Sequence, residues 1–371
     1  SGTHKGDFPH ILPFIQLHIQ ILKTMKNKIS AAFVIALTIL TSCERYIELT
    51  GTGPEKLLVV NGYVRSDESE HSVLVAWSTF KEVKPVNAAH LECYVNGTKV
   101  SETSELHKAE NSTSAIQRMT FNADFNAGDE VRVVVESEGT RVESVSVAPK
   151  APVIVKADTT TVKAKDDFGD LENFALFSVT VQDVKGEDNY YRALMDLDSK
   201  YFINWVSEEE TEHKVGDCVD KGSKSLVIDN SQEPLLRRRI GKDQKDDDDW
   251  NFYNNRYNIF TDSQFRNSEY TLKLIVSHYG YLHNFCNFGY NPDNVKVEED
   301  REVVVKIMSM SKLTYLYMND YSSQGDWSLV SELPYPSNVK GGTGLVSVMT
   351  AATFNVRLPK WQVPDTIWTN Y

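Results

Sequence analysis

The chain has 371 residues, with 39 Lys and Arg against 52 Asp and Glu, and a net charge of −13 at pH 7. A surface this acidic repels phosphate backbones, which argues against a nucleic-acid partner. The length allows two domains of about 100–200 residues each, and an aromatic content of 11%, led by 17 tyrosines, favours strands.

The first element in chain order is a leader. Lys26 and Lys28 stand before an almost wholly apolar run, Ile29 to Leu40. That run is short of the roughly 20 residues a bilayer-spanning helix needs, but has the length of a secretory h-region, about 7–15. Leu40-Thr41-Ser42-Cys43 then resembles a bacterial lipobox, in which small residues admit the peptidase and the cysteine becomes the lipid acceptor and the new first residue. The expectation is a start at Met25, removal of residues 1–42 and a lipid on Cys43. The alternative is a secretory signal that ends on an incidental cysteine. Residues 1–24 would be upstream sequence absent from the mature protein. Loss of 1–42 takes four lysines and one aspartate, which deepens the net charge to −16.

Residues 43–55 read as a tether between lipid and fold. From residue 56 the pattern changes to alternating or β-branched runs: 56–64, 71–78, 89–100, 115–123, 129–139 and 140–147. Asn96-Gly97 is a two-residue hairpin signal, and Ala127-Gly128-Asp129 marks another turn. Short strands at this spacing predict an Ig-like or carboxypeptidase-regulatory-like β-sandwich over 56–150. Pro149 and Pro152 mark its end.

A larger β-rich domain with one or two short helices is expected over 151–371. Its clearest strands are 173–183, 189–198, 200–207, 270–280 and 301–310. The best helix is 311–324, with Leu313, Leu316, Tyr317 and Met318 on one side. Long polar loops intervene, at 241–260 and again at 331–346, where Pro and Gly are densest.

Little in the sequence points to catalysis. GxSxG, HExxH and P-loop patterns are missing, and a glycosidase carboxylate pair stays open only because acids are plentiful. Asp246 to Asp249 read as a solvated loop rather than a calcium site. His278, His283 and Cys286 do not make a metal-ligand set, and His278 falls in phase with Leu272, Leu274 and Val276. No cofactor or metal is expected. Cys93, in phase with Leu91 and Val95, reads as a buried apolar residue. Cys218 and Cys286 could form a disulfide in an oxidising compartment. The segment 250–260 interleaves Trp250, Phe252, Tyr253, Tyr257 and Phe260 with amides. Flat rings beside hydrogen-bonding side chains suit a sugar or peptide groove; an ordinary strand with aromatics on both faces would read the same.

The order of these pieces, with "LVVNGYV", "NYYRALMDL", "FTDSQFRNSEYTLKLIV", "MSMSKLTYLYM" and "PYPSNVKGGTGLVSV", resembles the Bacteroidetes outer-membrane lipoproteins grouped as domain of unknown function 4249. The resemblance implies an outer-membrane, lipid-anchored and surface-exposed position, and a link to TonB-dependent, SusC-like uptake systems. It carries no catalytic residue. The function expected is a non-enzymatic accessory, a ligand-capture or lid subunit for uptake of a glycan, peptide or other nutrient. The alternatives are a structural or adhesive surface lipoprotein and, third, a glycan hydrolase.

Overall fold

In the computed structural model, which describes residues 56–79, 82–109, 115–165, 171–230, 232–237, 255–277, 293–323 and 336–362, the strands begin at Lys56. The first half contains β1 (Lys56–Arg65), β2 (Glu70–Thr79), β3 (Val83–Lys84), β4 (His90–Val95), β5 (Thr98–Thr103), β6 (His107–Lys108), β7 (Gln117–Asn122), β8 (Glu130–Ser137) and β9 (Thr140–Val147). Alternation places Leu58, Val60 and Val64 of β1, and Val73, Val75 and Trp77 of β2, in the core. Asn96 and Gly97 have φ of 50° and 79°, the left-handed pair that lets β4 turn directly into β5. Cys93 is fully buried, and that burial pushes its thiol pKa up to about 11.

The second half contains β10 (Val153–Lys165), β11 (Leu171–Gln182), β12 (Tyr190–Val206), β13 (Cys218–Ser225), β14 (Ile228–Asp229), β15 (Ile259–Thr261), β16 (Glu269–Ser277) and β17 (Val295–Met310). Helix α1 (Lys312–Ser323), β18 (Val339–Lys340), β19 (Val346–Arg357) and β20 (Trp361–Gln362) follow. The runs at 189–198 and 200–207 form one strand, because Ser199 keeps the alternation going and β17 pairs with β12 from Tyr190↔Met310 to Val206↔Val295. Helix α1 lies where expected. Ser311 caps it, its Oγ accepting the Thr314 amide at 3.1 Å. Its buried side differs from the expected stripe: Thr314 and Met318 are inside, while Leu316 is exposed. The Thr314 hydroxyl lies 2.9 Å from that of Ser347, and this contact with β19 fixes the helix's rotation.

The fold is mainly β. One long sheet runs β13-β12-β17-β19-β1-β2-β7-β6, with β15, β20 and β3 attached at its margins. Among the described residues, its one parallel strand pair joins β1 to β19, from Gly62↔Val346 to Arg65↔Met349, extended by a parallel bridge between Val59 and Thr343. The five-stranded sheet β18-β9-β8-β4-β5 and the four-stranded sheet β10-β11-β16-β14 complete the set. Each has its own core. Leu58, Trp77, Leu91 and Val133 belong to the first, and Phe177, Tyr191, Met195, Leu274 and Val305 to the second. The chain changes halves near residue 150, yet Val339, Val346 and Val348 from its far end sit in the first core. Residues 55–371 accordingly cluster as one compact unit. The change of half at 150 does not separate two self-contained sheets.

The glycine-rich segment before β19 makes this closure fit. It runs beside β1 with Val60 N donating to Thr343 O and Thr343 N to Leu58 O, both at 3.0 Å. A Cβ on Gly342 would stand 2.3 Å from the Leu58 carbonyl oxygen. One on Gly344, at φ +117°, would stand 2.2 Å from that of Val60. Only a bare backbone packs that closely. These glycines therefore serve a backbone-to-backbone seam more than a turn.

Candidate functional site

Of the aromatic residues expected to contact a ligand, Trp250, Phe252 and Tyr253 lie outside the described residues, as do Cys43 and Cys286. Tyr257 is described and half-buried. Phe260 of the same segment is a core residue, 2% exposed, because β15 pairs it with Tyr191. Cys218 is exposed with a free thiol, 3.5 Å from the Asp220 carbonyl.

The stretch Asn189-Tyr190-Tyr191-Arg192 feeds both faces of β12. Asn189 and Tyr191 point inward, into a closed polar knot. The Tyr191 hydroxyl donates to Asp183 Oδ1 at 2.6 Å, and the Asn267 amide donates to Asp183 Oδ2 at 2.7 Å. The Asn189 amide nitrogen lies within 3.2 Å of Asp183, the Val184 and Glu187 carbonyls, and Asp262. Burial, together with the bond to Asp183, raises the Tyr191 pKa strongly. Phe260 and Phe265 pack on the Tyr191 ring with centroids 5.4 and 6.3 Å away. The knot ties the turn after β11 to the 260–268 turn. Its groups satisfy one another, so it stabilises and positions.

Tyr190 and Arg192 point to the opposite face, towards α1. Tyr190 lies against Tyr315 with ring centroids 5.2 Å apart. Both pack, as do Tyr63 and Tyr257, against a small buried cluster of Ile259, Met308, Met310, Met318 and Met349. Arg192 Nε donates to the Tyr257 carbonyl at 3.0 Å, and the guanidinium carbon sits 5.3 Å from the Tyr257 ring centre. Tyr257 is held there by Asn255, which is 3% exposed. Asn255 Nδ2 donates to the Ile259 and Leu236 carbonyls at 2.7 and 3.0 Å, and its Oδ1 accepts the Ile259 amide at 2.9 Å. Among the described residues, Arg192 makes no ion pair. Burial lowers its pKa; the like charge of Arg65 acts the same way, while Tyr63 and Tyr257 oppose the shift.

The other charges on this face are spoken for. Lys306 lies 3.1 Å from Asp67 and 3.0 Å from Asp196, and Arg65 lies 2.6 Å from Asp67 and 2.9 Å from Glu68. Burial works against the Asp67 carboxylate, but its bonds to Arg65 and Lys306 outweigh this and hold its pKa below the ordinary value. The arrangement thus contains one cation that has aromatic company and no acid. Such a group can recognise an anion; it offers no nucleophile–base pair. Arg192 stands in the family-like stretch NYYRALMDL, which by itself gives the residue no role. The available signal was its outward phase beside Tyr190 on a strand whose alternate residues are core.

Two further clusters are less apt. A hollow of about 470 Å³ lies over β12, β13, β17 and β19, lined by Asp198, Lys200, Lys221, Asp300, Glu302 and Arg357 among others. Its lining is self-compensating, with Lys200 opposite Asp300 and Glu302 opposite Arg357 in the strand register. His90, Glu92 and Glu102 bring ligand atoms within 4.8 Å of one another, but the Lys99 ammonium already lies 2.5 Å from Glu102 and 3.5 Å from Glu92. Among the described residues no helix is long and apolar enough to cross a membrane.

A family model described as Domain of unknown function (DUF4249) matches residues 44–355. No curated protein matches the chain. Among solved structures, an anti-sigma factor domain-containing protein aligns with 66% of this chain and 86% of its own, at 10% identity and a TM-score of 0.11. A likeness at that level carries no argument about fold or function.

Proposed function

The chain belongs to the DUF4249 family, and from that premise we propose that it is a lipid-anchored protein of the Bacteroidetes outer membrane that captures a ligand, or docks as a lid, for a TonB-dependent, SusC-like transporter. It binds and does not react. The observation that carries this reading is the Arg192 guanidinium, held against Tyr257 with no acid beside it on an otherwise charge-paired face. The lipobox-like Leu40 to Cys43 supports the address, since an acylated N-terminus contributes about 0.8 kcal/mol per buried methylene to membrane retention.

The test is purification of the native protein from detergent-solubilised outer membrane, with mass spectrometry of what accompanies it. A TonB-dependent barrel retained by the native protein, and retained less by Tyr257→Ala, is the expected result. Retention of fimbrial or adhesive components instead would overturn the uptake role. Membrane retention of Cys43→Ala at the native level would overturn the lipid anchor.

A further inference from the structure

We propose that Arg192 is the anchor for a singly charged carboxylate whose flat, weakly polar body lies along the tyrosine wall formed with Tyr257, Tyr63 and Tyr190. The inference rests on the capture reading above and narrows the class of ligand.

The case begins with what a half-buried arginine requires. A guanidinium removed from most of its water is costly unless its N–H groups find acceptors. The Nε of Arg192 has the Tyr257 carbonyl. The two Nη atoms bond to nothing among the described residues, and they are not among the fully buried atoms left without a partner. A planar fork with no partner on its paired-donor side matches a carboxylate, which accepts two parallel N–H bonds. The opposite side of the fork is fixed by Tyr257, and Tyr257 is fixed by the buried Asn255. The donor pair is therefore held in place before any ligand arrives, which limits the entropy lost on binding.

Charge selects the anion. Arg65 and Lys306 are close by, but Asp67, Glu68 and Asp196 already engage them. With Arg192 these make three cations and three acids, and Arg192 is the cation that none of the acids engages. A dianion such as a phosphate monoester would bring a second negative charge towards Asp67 and Asp196 with no cation to meet it. A monoanion meets the Arg192 charge one for one and brings no second negative charge to that pair of acids. The tyrosine rings supply the rest: a flat apolar surface suited to an aromatic ring or to the face of a sugar. Uronic acids and aromatic or peptide carboxylates share this chemistry.

The experiment titrates the full mature chain, followed by isothermal calorimetry, with phenylacetate, its neutral isostere phenylacetamide, the dianion phenyl phosphate, glucuronate and glucose. The expected result is binding of phenylacetate or glucuronate with a Kd of about 1 mM or tighter, at least about tenfold tighter than the neutral partner of the same body. Which of the two carboxylates binds distinguishes an aromatic acid from a sugar acid. Arg192→Gln should abolish the difference between carboxylate and neutral probe, and Arg192→Lys should retain only part of it, because an ammonium lacks the fork. Thermal melting of both variants checks that the fold is intact.

Equal binding of phenylacetate and phenylacetamide, or tighter binding of phenyl phosphate, overturns the proposal. So does carboxylate binding that survives Arg192→Gln, or no carboxylate binding at all. If neutral probes bind and Tyr257→Ala removes them, capture at the wall stands and only the anion assignment falls.

Discussion

Asn189 and Tyr191 on one face of β12, and Tyr190 and Arg192 on the other, are neighbours in sequence with opposite fates. On the inner face, the carboxylate of Asp183 accepts the Tyr191 hydroxyl, the Asn267 amide and the Asn189 side chain. On the outer face, Arg192 makes one bond, and its two Nη nitrogens have no partner among the described residues. The difference separates a polar group that stabilises from one that recognises. Inside, every donor has an acceptor, and removal of one partner strands the others in low dielectric. Outside, the arginine is still owed its acceptors, and a ligand can supply them.

The largest effect should come from the seam that lets both faces exist. Gly344→Ala places a methyl against the Val60 carbonyl at a φ that L residues avoid. It should cost about 3 kcal/mol or more, read as a lower urea midpoint for the whole described fold. If only one half loses its midpoint, β19 does not couple the halves. Next, Asp183→Ala should cost about 3 kcal/mol, since it leaves Tyr191, Asn189 and the Asn267 amide without their acceptor. A loss near zero would mean water replaces the carboxylate and the knot is not closed.

A smaller effect depends on pH. The folded-state pKa of Asp67 is lowered, so its contribution is present above its unfolded pKa, about 3.9, and is lost as pH falls through the folded value. Asp67→Asn should therefore flatten the acid limb of the stability curve and cost about 1 kcal/mol at neutral pH. An unchanged acid limb would show that Arg65 and Lys306 do not hold this carboxylate.

Arg192→Gln should change stability by about 0.5 kcal/mol or less, because it also removes the cost of burying a charge. A loss as large as that of Asp183→Ala would place Arg192 among the stabilising groups and erase the contrast. Finally, alkylation at pH 8 should label the exposed Cys218 and spare Cys93, whose burial holds its pKa near 11. Peptide mapping reads this directly; an unlabelled Cys218 would point instead to a bridge with Cys286.

Much of the fold is legible where one face of a strand is buried. The runs at 56–64, 71–78 and 129–139 alternate because their inner residues meet a core, and β1, β2 and β8 appear within one or two residues of those bounds. The same rule hides β10 and β13, whose exposed edge positions need no apolar phase. It also hides β19. Its N-terminal half, Val346 to Thr350, is buried on both faces and so does not alternate, and its C-terminal half is mostly half-buried or exposed. Of the site, Tyr257 was marked by its ring and the amides around it, whereas Arg192 was not, because a charge on an outward phase looks like solvent-facing surface.

The sequence by itself determined the class of fold, the Asn96-Gly97 hairpin, the buried Cys93 and helix α1, since each follows from contacts within a few residues or from burial along a single strand. It also held the family's signature stretches, without their purpose. Only the tertiary structure decided that Gly342 and Gly344 admit a far segment against β1, that β19 closes the first half, and that Arg192 meets Tyr257 across 65 residues. These are long-range pairings. Each depends on which backbone lies beside which, and no local period records that choice.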